Sequence, residues 1–568
     1  NNLIVESGGT LTMDADFDLE IYGHFSIEGA LAVTDGEISF MGSSFQSVDG
    51  DGQTTDLEFN NIEIDSDDEV AFENLDGNYI LNGLLTPTDG EMTIESDAGF
   101  IVNSTSATAG GRIGPIPGGF NFGGDYTVRR FIPGGTAGYR DLCSPVTGAN
   151  LTDWDADLEI SGPGFPDGEA CGPEGCYNSC KYYQGTSFFD VTDINADLTN
   201  GEGFYIWVGD DLDTWSGGSV SVTGSLNTSA DVVQTVVSNW HTIGNPYASP
   251  VLFSNVTFSG VGQYFYVYDV NIGGYQWYDN SGGGSSSIVE LTDGLMATGQ
   301  GIWVSGPGTI TWNQACKTSN TATYIRSSGI TDHFGGGFHL SLTNESTMYN
   351  CTMAFEENDN TEDGVDELID LPHLSQGFEP GSEIAVRLGD ELYRKNHIKR
   401  NFKDKSFDLY VNIKQSDIYT ITAENIYSFD SYRKVYLLDK ETGEMVDLKA
   451  EGSYVFSAEV GEYDRFKLIL SNKEMEAPSQ LANIDEFDGL NDLEITQMGH
   501  SLEIRSTQTF DSPVSISVVN ILGQTEVYTI STQLTGGSNM IHLPTDLKGV
   551  HIITLSNANQ TISKKLVF

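Results

Sequence analysis

Short runs of alternating apolar and polar residues fill this chain. In DFDLEIYG, the residues Phe17, Leu19 and Ile21 share one face of an extended segment, because side chains alternate sides along a strand. Similar runs follow at 36–40, 57–64, 69–73 and 91–95. Apolar residues recur at Phe17, Ile38, Phe59, Ile80 and Ile101, and Asn61, Asn82 and Asn103 keep the same step of 21 residues. A fixed period carried by short strands predicts a β-helix-like solenoid over 1–111. Each coil would bury its apolar face on the next, and the asparagines would form an amide ladder at a turn. The competing arrangement is a set of antiparallel hairpins in which the spacing has no structural meaning.

The pattern changes after residue 111. Residues 112–325 are rich in Gly, Trp and Tyr, and two phrases echo one another: GEGFYIWVG at 201–209 and GQGIWVSG at 299–306. Each places a Gly-x-Gly turn before a Trp-bearing strand, which marks either two related halves or a repeated local solution. Residues 326–472 alternate strongly and predict an antiparallel β-sandwich, interrupted by an acidic loop or short helix at 359–371. Residues 473–496 keep no sustained period and read as a linker. About seven short strands over 497–568 predict a small immunoglobulin-like sandwich. The expected fold class is therefore all-β and multi-domain: a solenoid, then sandwich modules.

Composition narrows the function classes. The 568 residues carry 82 acids against 26 lysines and arginines, a formal charge of −56. That balance argues against nucleic acid and against anionic lipid, both of which need a basic footprint. No stretch is apolar for long enough to span a membrane. The first 111 residues hold 23 acids and no lysine or arginine, whereas nineteen of the 26 basic residues follow residue 380. Solvated acidic faces explain such a surplus, and divalent cations are the sharper alternative. Calcium is the best cofactor candidate: Asp49, Asp51, Asp65 and Asp67 concentrate hard oxygen donors in two turns, although neither run completes an EF-hand pattern.

Six cysteines, Cys143, Cys171, Cys176, Cys180, Cys316 and Cys351, form an even set that fits disulfides in an oxidising compartment. Their spacing is not that of a zinc site. Tyr264, Phe265, Tyr266, Tyr268, Tyr275, Trp277 and Tyr278 crowd fifteen residues, and Tyr275, Trp277 and Tyr278 are the candidate glycan-stacking rings. The rival reading makes alternate members core. No GxSxG, HExxH or P-loop occurs, so no catalytic residue is assigned. His241 reads as a packed turn residue, and His333 and His339 flank a triple glycine as a weak metal pair.

The C-terminus carries the most specific signal. Asn520, Gly523 and Gln524 form an NxxGQ turn. An LxGVHIITL strand runs from Leu547 through Gly549 to Leu555, and Lys564 and Lys565 precede the final apolar residues. In this order and place, these features resemble the C-terminal sorting domain of type IX secretion cargo of Bacteroidota, with His551 standing where the family commonly has Tyr. The segment 433–470 looks like a module that often precedes such sorting domains, and 127–148 and 240–253 look like parts of large secreted proteins of that group. The resemblance implies passage through the outer-membrane translocon and handling by a surface-attachment complex. Removal of the sorting domain, and linkage of the body to surface lipopolysaccharide or its release, follow in that family.

The expectation is a non-enzymatic surface protein, a stalk, adhesin or assembly subunit, whose leader has been removed and which is part of a longer chain. An open solenoid end would allow a homo-oligomer or filament. The alternative is a carbohydrate-active or glycan-binding protein exported by the same route. Absence of any basic residue before Arg112, with His24 the one histidine there, weighs against a catalytic solenoid face.

Overall fold

The structure, a computed structural model, describes all residues except 1, 15–16, 159, 163–177, 186, 210–213, 271–273, 281–284, 287–293, 323, 325–336, 345–350, 358–363, 367–369, 374–380, 400–403, 430–431, 433, 473, 476–492, 499, 507–512, 521–525, 536, 545–546, 548–549, 557–560 and 568. Strand dominates, and the α-helices among the described residues are Leu151–Leu158 and Leu448–Glu451. Among the described residues no helix is long and apolar enough to cross a membrane.

The N-terminal strands pair in parallel, coil upon coil, which two-residue hairpins cannot do. The arrangement is therefore solenoid-like. Inward side chains stack in ladders: Ile38 over Ile62 over Leu85, Phe25 over Val48 over Phe72 over Ile94, and Phe59 over Leu81 over Val102 over Val128. Phe72 is fully buried and meets the rings of Phe40, Phe59, Tyr79 and Phe100. The buried Tyr79 hydroxyl has the carbonyls of Val48 (2.9 Å) and Glu73 (2.7 Å) as acceptors for its one proton, so its polar end is satisfied inside the stack.

The 21-residue step is only locally real. Tyr79 sits on Phe100 and Ile80 on Ile101, but other steps run from 19 residues (Leu19 to Ile38) to 30 (Met92 to Phe122). Coil turns of different length absorb the difference. Phe17 is exposed, and Ile38 lies on a different ladder from Phe59. The asparagine ladder shortens to one rung, Asn103 Nδ2 donating to Asn82 Oδ1 at 2.8 Å; Asn61 Oδ1 instead accepts the Leu84 N–H. Stacking continues past residue 111. The strand Tyr126–Ile132 lies parallel on Gly99–Val102, and its other edge is closed by the antiparallel strand Gly218–Leu226.

The two echoed phrases occupy matching places. Gly203 pairs with Cys143 and Gly301 pairs with Gly244 across antiparallel strands. The halves then clasp reciprocally: Cys143 N–H donates to Gly299 O (3.0 Å) and Gly244 N–H to Gly201 O (2.8 Å). Each Gly-x-Gly has the same physical reason. Gly201 and Gly299 have φ of +82° and +72°, and a Cβ on Gly203 or Gly301 would press on the backbone of Ile243 or Leu142. The two phrases thus repeat one local arrangement within a single sheet.

The strands from Gly337–Asn344 to Gly461–Ser471 form one curled sheet of eleven. Its ends fold over each other, with Tyr454 and Phe456 packing on Phe466. One pairing, Cys351–Glu357 with Glu391–Ile398, is parallel in this otherwise antiparallel sheet. Beyond it, a three-stranded and a four-stranded sheet enclose a separate core that includes Leu502, Ile504, Ile516, Val518, Ile553 and Leu555.

Candidate functional site

The aromatic crowd at 264–278 is sorted by strand geometry. Along Tyr264–Asp269, Tyr264, Tyr266 and Tyr268 face one way while Phe265 and Val267 face the other. Phe265 and Tyr278 enter an aliphatic core with Phe253, Val304 and Ile310. Tyr264, Tyr266 and Trp277 join Tyr139, Tyr183, Tyr205, Trp240 and Trp303 in a second, aromatic cluster. Leu371, from the following module, belongs to that same cluster, so the aromatic face is a module junction.

This arrangement corrects the open stacking platform expected of Tyr275, Trp277 and Tyr278. Trp277 and Tyr278 are each 4% exposed and point to opposite sides of the sheet, and Tyr275 is half-buried against Trp303 and Tyr268. A sugar would find the next module, or core, already seated there.

The side chains laid on this face are charged. Lys395 Nζ lies 4.2 Å from the Trp277 ring centre and 5.3 Å from that of Tyr266. It also approaches Glu356 Oε2 to 2.7 Å. His397 Nε2 lies 3.7 Å from the same oxygen, and His397 Nδ1 is 3.1 Å from Asp370 Oδ1. Asp370 is fixed in turn by the N–H groups of His397 and Asp366 and by the Asn396 amide. The ring of Tyr264 closes on His397 edge-on at 5.1 Å. All four ionisable groups are buried.

Burial penalises charge here and sets the protonation pattern. It pulls the Lys395 amine down to about 8, with Glu356 opposing. Burial and then Lys395 push the His397 imidazole down to about 3, and the nearby His339 ring goes to about 3 for the same reasons. Burial raises the Asp370 carboxyl to about 7 against its hydrogen bonds. The result is an Asp–His–Glu–Lys line in a water-poor seam. Sequence reading missed it because Lys395 and His397 alternate along a strand and look like its solvent face. The one local signal is that ELYRKNHI carries cations on both faces.

The other candidates are placed as follows. Asp49 Oδ1 accepts the Asp51 N–H and the Asn74 amide, both at 2.8 Å, so this turn is organised by its own hydrogen bonds. Asp65 lies in register beside Asp89, and Asp67 donates its N–H to Gly42 O. Among the described residues no three His, Cys, Asp or Glu side chains converge as metal ligands, which leaves the calcium turns without a built site there.

The expected disulfides are not formed among the described residues. Cys143 and Cys180 flank one strand but face positions three residues apart, Gly203 and Ile206, while Cys316 and Cys351 lie in separate cores. The Cys351 sulfur accepts the Ile384 N–H at 3.0 Å and is met by the Arg394 guanidinium. Cys171, Cys176 and His333 lie outside the described residues. His241 is partly buried, and burial lowers its pKa.

Of the sorting-motif residues, Asn520 ends the strand Val514–Asn520 opposite His551, Leu547 is buried, and Lys564 and Lys565 lie in the strand Thr561–Val567 opposite Ile553 and Ile552. Gly523, Gln524 and Gly549 lie outside the described residues. A scan against family models matches none to this chain, and no curated protein is significantly similar to it.

Proposed function

We infer that this chain is a cell-surface structural or adhesin-like protein carried across the outer membrane by type IX secretion. The observation that carries this reading is the ordered C-terminal run of Asn520, Gly523, Gln524, the Leu547–Leu555 strand, and Lys564 with Lys565. It is supported by the separate hydrophobic core of the last seven strands, since a cargo tag must keep its shape apart from its passenger. The partners on this reading are the translocon and its attachment machinery, with surface lipopolysaccharide as the anchor. The body serves as an extended, non-enzymatic β scaffold, with homotypic stacking of solenoids as its route to assembly.

The test is transfer of the signal. Residues 497–568 are fused to a monomeric reporter bearing a periplasmic leader, in a Bacteroidota host with and without its type IX translocon. The reporter should reach the surface or medium only when the translocon is intact. Periplasmic retention in both hosts would overturn the reading.

A further inference from the structure

We propose that the Lys395 amine and the Glu356 carboxyl condense into a side-chain amide, a covalent tie between the two parallel strands of the third module. The two residues are diagonal neighbours on one sheet face, since Lys395 is in register with Ala354 and His397 with Glu356. Nζ lies 2.7 Å from Oε2, and among the described residues no other hydrogen-bond partner is found for it. An amine held this close to a carboxyl has the carbonyl carbon one bond beyond its contact.

The surroundings supply what such a condensation needs. Trp277, Tyr266 and Tyr264 cover the pair from the preceding module and keep out water, which would otherwise hydrate both groups. Burial favours the neutral amine, which is the nucleophile, and the proton that the ammonium loses passes to Glu356 Oε2 as the step begins. His397 Nε2, 3.7 Å from Glu356 Oε2, is the proton carrier, and Asp370 fixes its ring through Nδ1. Asp370 itself is a poor acceptor for the amine, because both its oxygens are held by N–H donors.

The step balances without any co-reactant. Lys395 Nζ attacks Glu356 Cδ and the C–N bond forms. His397 takes the amine proton and returns it to the departing hydroxyl. The Cδ–O bond breaks, and one water leaves. Nothing is oxidised or reduced.

The test is the intact mass of the full, cooperatively folded chain under denaturing conditions. The expected mass is that of the sequence less one water, and trypsin should release a branched peptide joining 327–387 to 395–399. Lys395→Arg and Glu356→Ala should each restore the full mass, and His397→Phe should slow the loss. A wild-type chain of full mass, or a water loss that maps elsewhere with no branched peptide, overturns the proposal and leaves an ordinary buried ion pair.

Discussion

The N-terminal solenoid and the module at 337–471 are both walls of β-strand, and they treat charge in opposite ways. The solenoid puts its acids outside and fills its interior with Ile, Leu, Val and aromatic ladders. The later module buries Lys395, Glu356, His397, Asp370 and Arg394. A parallel coil buries one face of each strand on the coil's own interior, so a simple apolar repeat suffices. A sheet that must also receive a neighbouring module has its second face covered. Polar groups there need specific partners, because an unpaired buried charge costs several kcal/mol. The solenoid is thus held by area, and the junction by complementarity.

The largest expected effect falls on the solenoid. Phe72→Ala removes a fully buried ring from the centre of five aromatics. It should lower stability by about 4 kcal/mol, read as a fall in denaturant midpoint, while the junction stays closed to proteolysis. If that variant loosened the junction equally, the two regions would be one cooperative unit and the contrast would fail.

Trp277→Ala should come next, at about 3 kcal/mol, through loss of packing and of the cover over Lys395. Hydrogen exchange should then rise selectively at Glu391–Ile398 and Cys351–Glu357. Exchange rising in the solenoid instead would contradict the assignment of Trp277 to the junction.

Acid should act on the junction through its histidines. His339 and His397 are held near 3 when folded, below their unfolded value, so the stability they contribute is lost as pH falls from about 6.5 towards 3. Asp370, raised to about 7, works in the opposite sense: its penalty fades as pH falls from about 7 to 4. For this set, two histidines against one carboxyl leave a net loss of stability as pH falls from about 6 to 4. Equilibrium unfolding of His397→Phe should show a flatter dependence over that window, and an unchanged slope would remove His397 from the account.

The smallest effect tests the amide rung. Asn82→Ala breaks the bond from Asn103 Nδ2 and should cost about 1 kcal/mol in the solenoid alone. A neutral result would mean that the rung is incidental to stacking.

These particulars show where sequence reading succeeds. Alternation at Leu19 and Ile21, or at Phe59, exposes the strands directly, because each local pattern has a local cause. The constant step of 21 does not survive, because side-chain ladders tolerate coil turns of different length. The paired Gly-x-Gly phrases were legible as an echo, but their clasp depends on contacts between residues far apart in sequence, Cys143 with Gly299 and Gly244 with Gly201. The aromatics near Trp277 were visible for the same reason the strands were. Their cover was not, since Lys395 lies more than a hundred residues downstream and reads locally as solvent-facing. The sorting motif stands apart: it is legible as a resemblance, and its glycines Gly523 and Gly549 lie outside the described residues.

The export route is tested most directly by the location of the protein after deletion of residues 497–568. The truncated chain should accumulate in the periplasm while the intact chain reaches the cell surface. Surface display of the truncated chain at the intact level would contradict it and make the last seven strands an ordinary structural module.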